Sequence, residues 1–115
     1  MSSIRADDRV RLQHMIDAAE AAISFAQEKQ RADLDRDQML LFALLRAIEV
    51  LGEASSKIAI RTRAQAPSIP WPAIVAMRTR LIHGYFDIDA DIVWQTVTVE
   101  LPALLPQLRD LLTKA

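Results

Sequence analysis

The apolar positions of the chain fall into helical stripes. Leu12, Met15, Ile16, Ala19, Ala22, Ile23 and Ala26 follow the i, i+3, i+4, i+7 rule, which predicts one amphipathic helix from about Asp7 to Gln30. His14 sits beside this stripe and reads as a boundary residue with no special role. The polar stretch Gln27 to Asp37 reads as a helix end and turn. A second helix is expected to begin near Asp35, whose side chain can cap the first free amides, with Gln38 three residues on as in a capping box. Met39 to Leu45 is apolar all round, so this helix should be buried on more than one side, either centrally or against a second subunit. Beyond it Leu44, Ile48, Leu51 and Ile58 mark the core side.

Arg46, Glu49, Glu53 and Lys57 share the opposite side of that helix. Two readings stand beside each other. The stripe is a solvated face in which Glu49 pairs with Arg46 and Glu53 with Lys57, each pair worth about 0.2–0.5 kcal/mol. Or it is one wall of a site, with an acid orienting an arginine or a histidine.

Three prolines in Ala64 to Pro72 make that stretch a connection, because proline lacks the backbone donor a helix interior needs. A third, short helix is expected from Trp71–Pro72 to about His83, with Pro72 in its first turn. Ile74, Met77 and Leu81 line its buried side, and Gly84 suits the left-handed residue that stops a helix. Asp87, Asp89 and Asp91 resemble the start of a calcium loop, but Ile92 and Thr98 stand where glycine and a bidentate glutamate are needed. Asp89 as N-cap and Asp91 in the first turn of a fourth helix account for them better. Trp94, Val97, Leu101, Leu104, Leu108 and Leu111 then alternate by three and four, a helix-packing seam. Pro102 and Pro106 should divide it into two segments. The sum is a single all-α domain over residues 1–115, an antiparallel bundle of four to five helices.

Composition agrees: 51% of the 115 residues are apolar and only 5% aromatic, with two glycines. No cysteine means no disulfide, thiolate metal site or cysteine nucleophile. The first ten residues hold no apolar run and are not expected to act as a signal peptide, and Met39–Leu45 is too short to cross a membrane. A soluble, cytoplasmic domain is therefore expected. Charge is uneven. Between Ala54 and Phe86 there is no acid, while Lys57, Arg61, Arg63, Arg78 and Arg80 give +5 and leave −6 to the rest of a chain totalling −1.

That segment ends in Arg78-x4-His83-x-Tyr85, which holds one of two histidines and the only tyrosine. A histidine in the last turn of a helix is favoured in its charged form and can exchange a proton near neutrality. An arginine beside it can hold a phosphate bidentately. RNA brings its own nucleophile, the 2′-hydroxyl, so the pair could cleave RNA with neither metal nor cofactor. The plain alternative is that His83 and Tyr85 cap the helix end and Arg78 is solvated. Geometry adds a condition. Five residues along an ideal helix give about 7.5 Å of rise and about 140° of rotation, so Arg78 and His83 would not share a face. Either the helix unwinds near Gly84, or two copies of the motif meet across a homodimer.

The stretch IPWPAIVAMRTRLIHGYFDIDADIVWQTV resembles the corresponding region of HepT-like proteins of the HEPN superfamily, and RAIEVLGEASSKI looks like their second long helix. The resemblance covers nearly the whole chain. It implies a helical bundle that dimerises with paired motifs facing a cleft, and a metal-independent RNase toxin encoded beside a minimal nucleotidyltransferase antitoxin. By position it makes Arg78 and His83 catalytic and Tyr85 the residue the antitoxin modifies with AMP. In that superfamily the residue after the motif arginine is often Asn, Asp or His. Here it is Thr79, which still hydrogen-bonds but aids acid–base work less. Glu53 is the candidate to orient Arg78 or His83, and Arg80, Lys57, Arg61 and Arg63 are candidates to bind RNA. The competing reading is a non-catalytic dimeric module that binds nucleotide, RNA or the nucleotidyltransferase. A zinc or iron enzyme is distant, since the two histidines lie on different helices.

Overall fold

A computed structural model describes residues 4–84 and 87–114. The first predicted stripe forms α1, Ala6–Phe25, with Leu12, Met15, Ile16, Ala19 and Ala22 buried and Ile23 and Ala26 packed against the core. It stops short of Gln30 because Glu28 adopts a positive φ of 61°, turning the chain. A 3-10 turn, Arg31–Asp35, follows, started by a reciprocal capping box between Gln30 and Asp33.

The second long helix, α2, spans Gln38–Ser56. Its cap is Asp37, not Asp35: the Asp37 carboxylate accepts the Leu40 N–H at 3.0 Å. Asp35 belongs to the preceding 3-10 turn, where its carboxylate accepts from Arg31 at 3.0 Å. Leu40, Leu44, Leu45, Ile48 and Leu51 are buried, but Met39 and Phe42 are 85% and 51% exposed. The all-round burial expected at the start of α2 is therefore not met within one chain. The first turns of α1 lie beside the last turns of α2, so the pair is antiparallel, with an open groove along its outer seam.

A short helix α3, Ile60–Arg63, is pinned to the start of α1. Asp8, only 2% exposed, accepts the Thr62 hydroxyl at 2.6 Å and the Ala59 N–H at 3.3 Å. The single helix expected from Trp71 to His83 is instead two: α4, Trp71–Val75, and α5, Met77–Leu81, separated at Ala76. Ile74, Met77 and Leu81 are buried as their spacing required. Both short helices pack on α2, and Gly52 permits the approach. A Cβ there would lie 3.1 Å from the Ile74 carbonyl oxygen.

After Leu81 the chain leaves the helix and forms a two-stranded antiparallel hairpin, β1 (Ile82–His83) and β2 (Asp87–Ile88), with Ile82 opposite Ile88 and His83 opposite Asp87. Gly84 takes its positive φ of 80° inside this hairpin; it turns the ribbon rather than ending a helix. Asp89 caps α6, Ala90–Gln95, by accepting from the Ile92 N–H at 3.2 Å, with Asp91 in the first turn, as the sequence led us to expect. Arg31 ties this helix to the first connection through Asp91 at 2.6 Å. A π turn, Thr96–Glu100, leads into α7, Leu101–Thr113. The division expected at the prolines is thus a widened turn before Pro102, and Pro106 lies within a helix that continues. Val97, Leu101, Leu104, Leu108 and Leu111 are buried along the predicted seam, and α7 packs on α1. Apart from the small hairpin, the described residues form a helical bundle.

Candidate functional site

The end of α5 and the hairpin that follows carry the candidate chemistry. Met77 and Leu81 anchor α5 in the core, which leaves Arg78, Thr79 and Arg80 exposed. Arg78 turns toward α2, where its Nε lies 3.5 Å from Glu49 Oε2. Arg80, two residues on and therefore about 200° around the helix, turns the other way and pairs with Glu100 of the π turn at 3.4 Å. The two arginines thus serve different faces.

His83 is exposed on β1. Because α5 ends at Leu81, His83 is not in the last turn of a helix, and the dipole argument for its charged form does not apply. The same change of backbone removes the 140° restriction. The first of the two routes, unwinding, is taken, and it happens at Ile82 rather than at Gly84 (Ile82 is extended, φ −124°, ψ 119°). Tyr85, expected to carry the modification, lies outside the described residues. Asp87, directly opposite His83 in the hairpin register, shares its face of the ribbon. An acid facing the histidine was not anticipated, because no helical pattern reveals strand register.

Glu53 does not orient Arg78. It faces the α1–α2 groove, where it lines a cavity of about 410 Å³ with Arg11, His14, Arg46 and Lys57. The acid that reaches Arg78 is Glu49, one helical turn earlier. Among the described residues neither intrahelical pair, Glu49–Arg46 nor Glu53–Lys57, is formed.

The proposed RNA-contacting cations separate in the same way. Arg63 donates to the Ile58, Ser55 and Ser56 carbonyls at 3.0, 3.0 and 3.2 Å and lies 5.9 Å from the centre of the Trp71 ring. It therefore caps the C-terminus of α2, where the dipole favours a cation. Lys57 and Arg61 remain exposed at the α2–α3 junction. Lys57 is eight residues past Glu49, about 12 Å along the helix. Among the described residues no group of three or more His, Cys, Asp or Glu side chains is placed to hold a metal ion. Nor is any helix among them long and apolar enough to cross a membrane.

An arginine paired with an acid of α2 is thus followed, five residues on, by a histidine on an extended ribbon. The chain matches the Ribonuclease HepT-like family over residues 15–111 and belongs to that family. It is 37% identical over 93 residues to "Probable ribonuclease HepT" of Thermococcus cleftensis, covering 81% of this chain and 84% of the relative. It is 32% identical over 103 residues to "Putative RNase TTE0752" of Caldanaerobacter subterraneus subsp. tengcongensis, covering 90% and 92%. A third relative, "Putative RNase MJ1380" of Methanocaldococcus jannaschii, is 32% identical over 98 residues, covering 85% and 90%. No solved structure matches the chain.

Proposed function

We propose that this protein is a metal-independent endoribonuclease, the toxin of a toxin–antitoxin pair, acting as a homodimer with an Arg78-x4-His83-x-Tyr85 site at the cleft between protomers. The observation that carries the reading is the placement of exposed Arg78 and His83 on consecutive elements, in a chain whose family and relatives bear the name ribonuclease. In this mechanism Arg78 holds the scissile phosphate and offsets the added charge of the pentacoordinate state. His83 exchanges a proton during attack of the RNA 2′-oxygen on phosphorus. The 5′-oxygen departs with a proton, leaving a 2′,3′-cyclic phosphate and a free 5′-hydroxyl. A minimal nucleotidyltransferase antitoxin neutralises the site by transferring AMP from ATP to the Tyr85 hydroxyl with release of pyrophosphate, setting bulk and negative charge where the RNA phosphate must lie. Exposed Met39 and Phe42 on α2 supply apolar surface for the second protomer.

The test is cleavage of total cellular RNA in EDTA by the parent and by His83→Ala, with dimer mass measured for both. Cleavage by the parent alone supports the assignment, whereas equal cleavage by His83→Ala overturns it. One observation favours a second reading, a non-catalytic dimeric module that binds nucleotide, RNA or the nucleotidyltransferase. Arg63 and Arg80 are committed within the fold, which thins the cationic surface open to RNA. Binding of the nucleotidyltransferase with no cleavage by an unmodified dimer would establish that reading.

A further inference from the structure

We propose that Glu49 is the positioning residue of Arg78. It holds the guanidinium by its Nε edge, so that the two terminal nitrogens are presented together to an RNA phosphate. The inference rests on the ribonuclease reading and deepens it.

The geometry assigns the roles unequally. Glu49 projects from the middle of the 19-residue α2, next to fully buried Ile48, and its side chain is 34% exposed. Arg78 projects from the five-residue α5 and is 61% exposed. The acid is the fixed member and the arginine the one being fixed. An exposed arginine has about 2 kcal/mol of rotamer entropy to lose, and among the described residues Arg78 has no other charged partner. The 3.5 Å contact is made to Nε, not to the terminal pair, which is the edge suited to bidentate phosphate recognition. An ion pair this exposed contributes little to stability, so its effect should be visible in turnover and not in melting. Removing the carboxylate also removes a negative charge from beside an incoming phosphate.

Four signatures follow. Relative to the parent, Glu49→Ala lowers kcat about tenfold to a hundredfold, the scale of a small misplacement of a catalytic group. Glu49→Gln falls between the two, because its amide oxygen still faces Nε while the negative charge is gone. The Kd for a non-cleavable 2′-deoxy-substituted oligonucleotide is unchanged or smaller in both variants, and Tm moves little. In an Arg78→Ala background Glu49→Ala has no further effect on kcat. Cleavage by Glu49→Ala equal to the parent's overturns the proposal, as does weaker oligonucleotide binding accompanied by a large fall in Tm.

If the parent itself cleaves no RNA, the ribonuclease reading fails on its own account. The Arg78 Nε–H resonance, followed by NMR with the same oligonucleotide, then decides the positioning role. Slowed exchange at Nε in the parent that is lost in Glu49→Ala, with oligonucleotide shifting the terminal nitrogens, supports it. Rapid exchange in both overturns it.

Discussion

Removing the Asp8 carboxylate should loosen α3 from the start of α1. Asp8 is 2% exposed and joins α1 to α3 by accepting from Thr62 at 2.6 Å and from Ala59 at 3.3 Å, with Arg11 3.9 Å away. Hydrogen bonds to a charged group are worth about 1.5–3 kcal/mol each, and a buried donor left without a partner costs about 1–3 kcal/mol. Asp8→Ala deletes the acceptor and strands the Thr62 hydroxyl, itself 2% exposed. A loss of about 2–4 kcal/mol is expected. For a chain of this size that is a fall in Tm of about 8–16 °C. Thr62→Val alone should cost less, since the carboxylate keeps the Ala59 amide and the nearby Arg11. The double variant should lose at least about 1 kcal/mol less than the two singles added together, because the second change removes a donor already stranded. Urea and thermal melts of the four proteins measure this directly. Strict additivity, or a Tm for Asp8→Ala within about 2 °C of the parent, would mean that Asp8 does not hold α3 to α1.

Three further changes test other parts of the fold. Gly52→Ala gains about 1 kcal/mol of helix propensity but sets a Cβ 3.1 Å from the Ile74 carbonyl oxygen. The two effects should nearly cancel in a melt, while RNA cleavage falls as α4 and α5 are pushed off α2; a variant both more stable and fully active would show that Arg78 tolerates the shift. Ser55 is fully buried and its hydroxyl has no partner among the described residues, so Ser55→Ala should be neutral or stabilising by up to about 1 kcal/mol, and a clear drop in Tm would contradict this. Hydrogen bonds to Asp91 and Asp35 hold the Arg31 guanidinium above the ordinary arginine range. A raised pKa gives stability that is present below the unfolded value and lost only above it, so the deficit of Arg31→Gln attributable to this group should be flat from about pH 5 to 9. It should shrink in 1 M salt, and a deficit unchanged by salt would count against the ion pair.

The long-period features of this chain could be read before folding. Leu12 through Ala26 and Val97 through Leu111 each repeat often enough to define a face, and Asp89 stands where a cap and its helix agree. The motif arginine and histidine were also visible as residues, though not as geometry. The rest depended on information that one-dimensional patterns lack. Asp37 and Asp35 both precede the same helix, and only the 3-10 turn, which claims Asp35 for Arg31, decides between them. Glu49 and Glu53 lie within about 40° of each other on α2. Their roles part because Gly52 lets α4 and α5 close against one side while α1 borders the other. The split at Ala76 has no glycine or proline to announce it. Arg63 counted as free charge in the sequence, yet three carbonyls at the end of α2 claim it once that helix stops.

The π turn at Thr96–Glu100 sets an angular phase. Its Leu101 N–H reaches back five residues to Thr96, where an ordinary helix would reach four, so it behaves as one residue spliced into the rod. That extra residue offsets the azimuth of α6 from that of α7 by roughly one residue's rotation, about 100°. With that offset, Val93 of α6 and Leu101, Leu104 and Leu108 of α7 all reach the core, although one helix runs into the other. Deleting one residue from the turn would rotate α6 against α7 by that amount, and one of the two buried rows would have to leave the core.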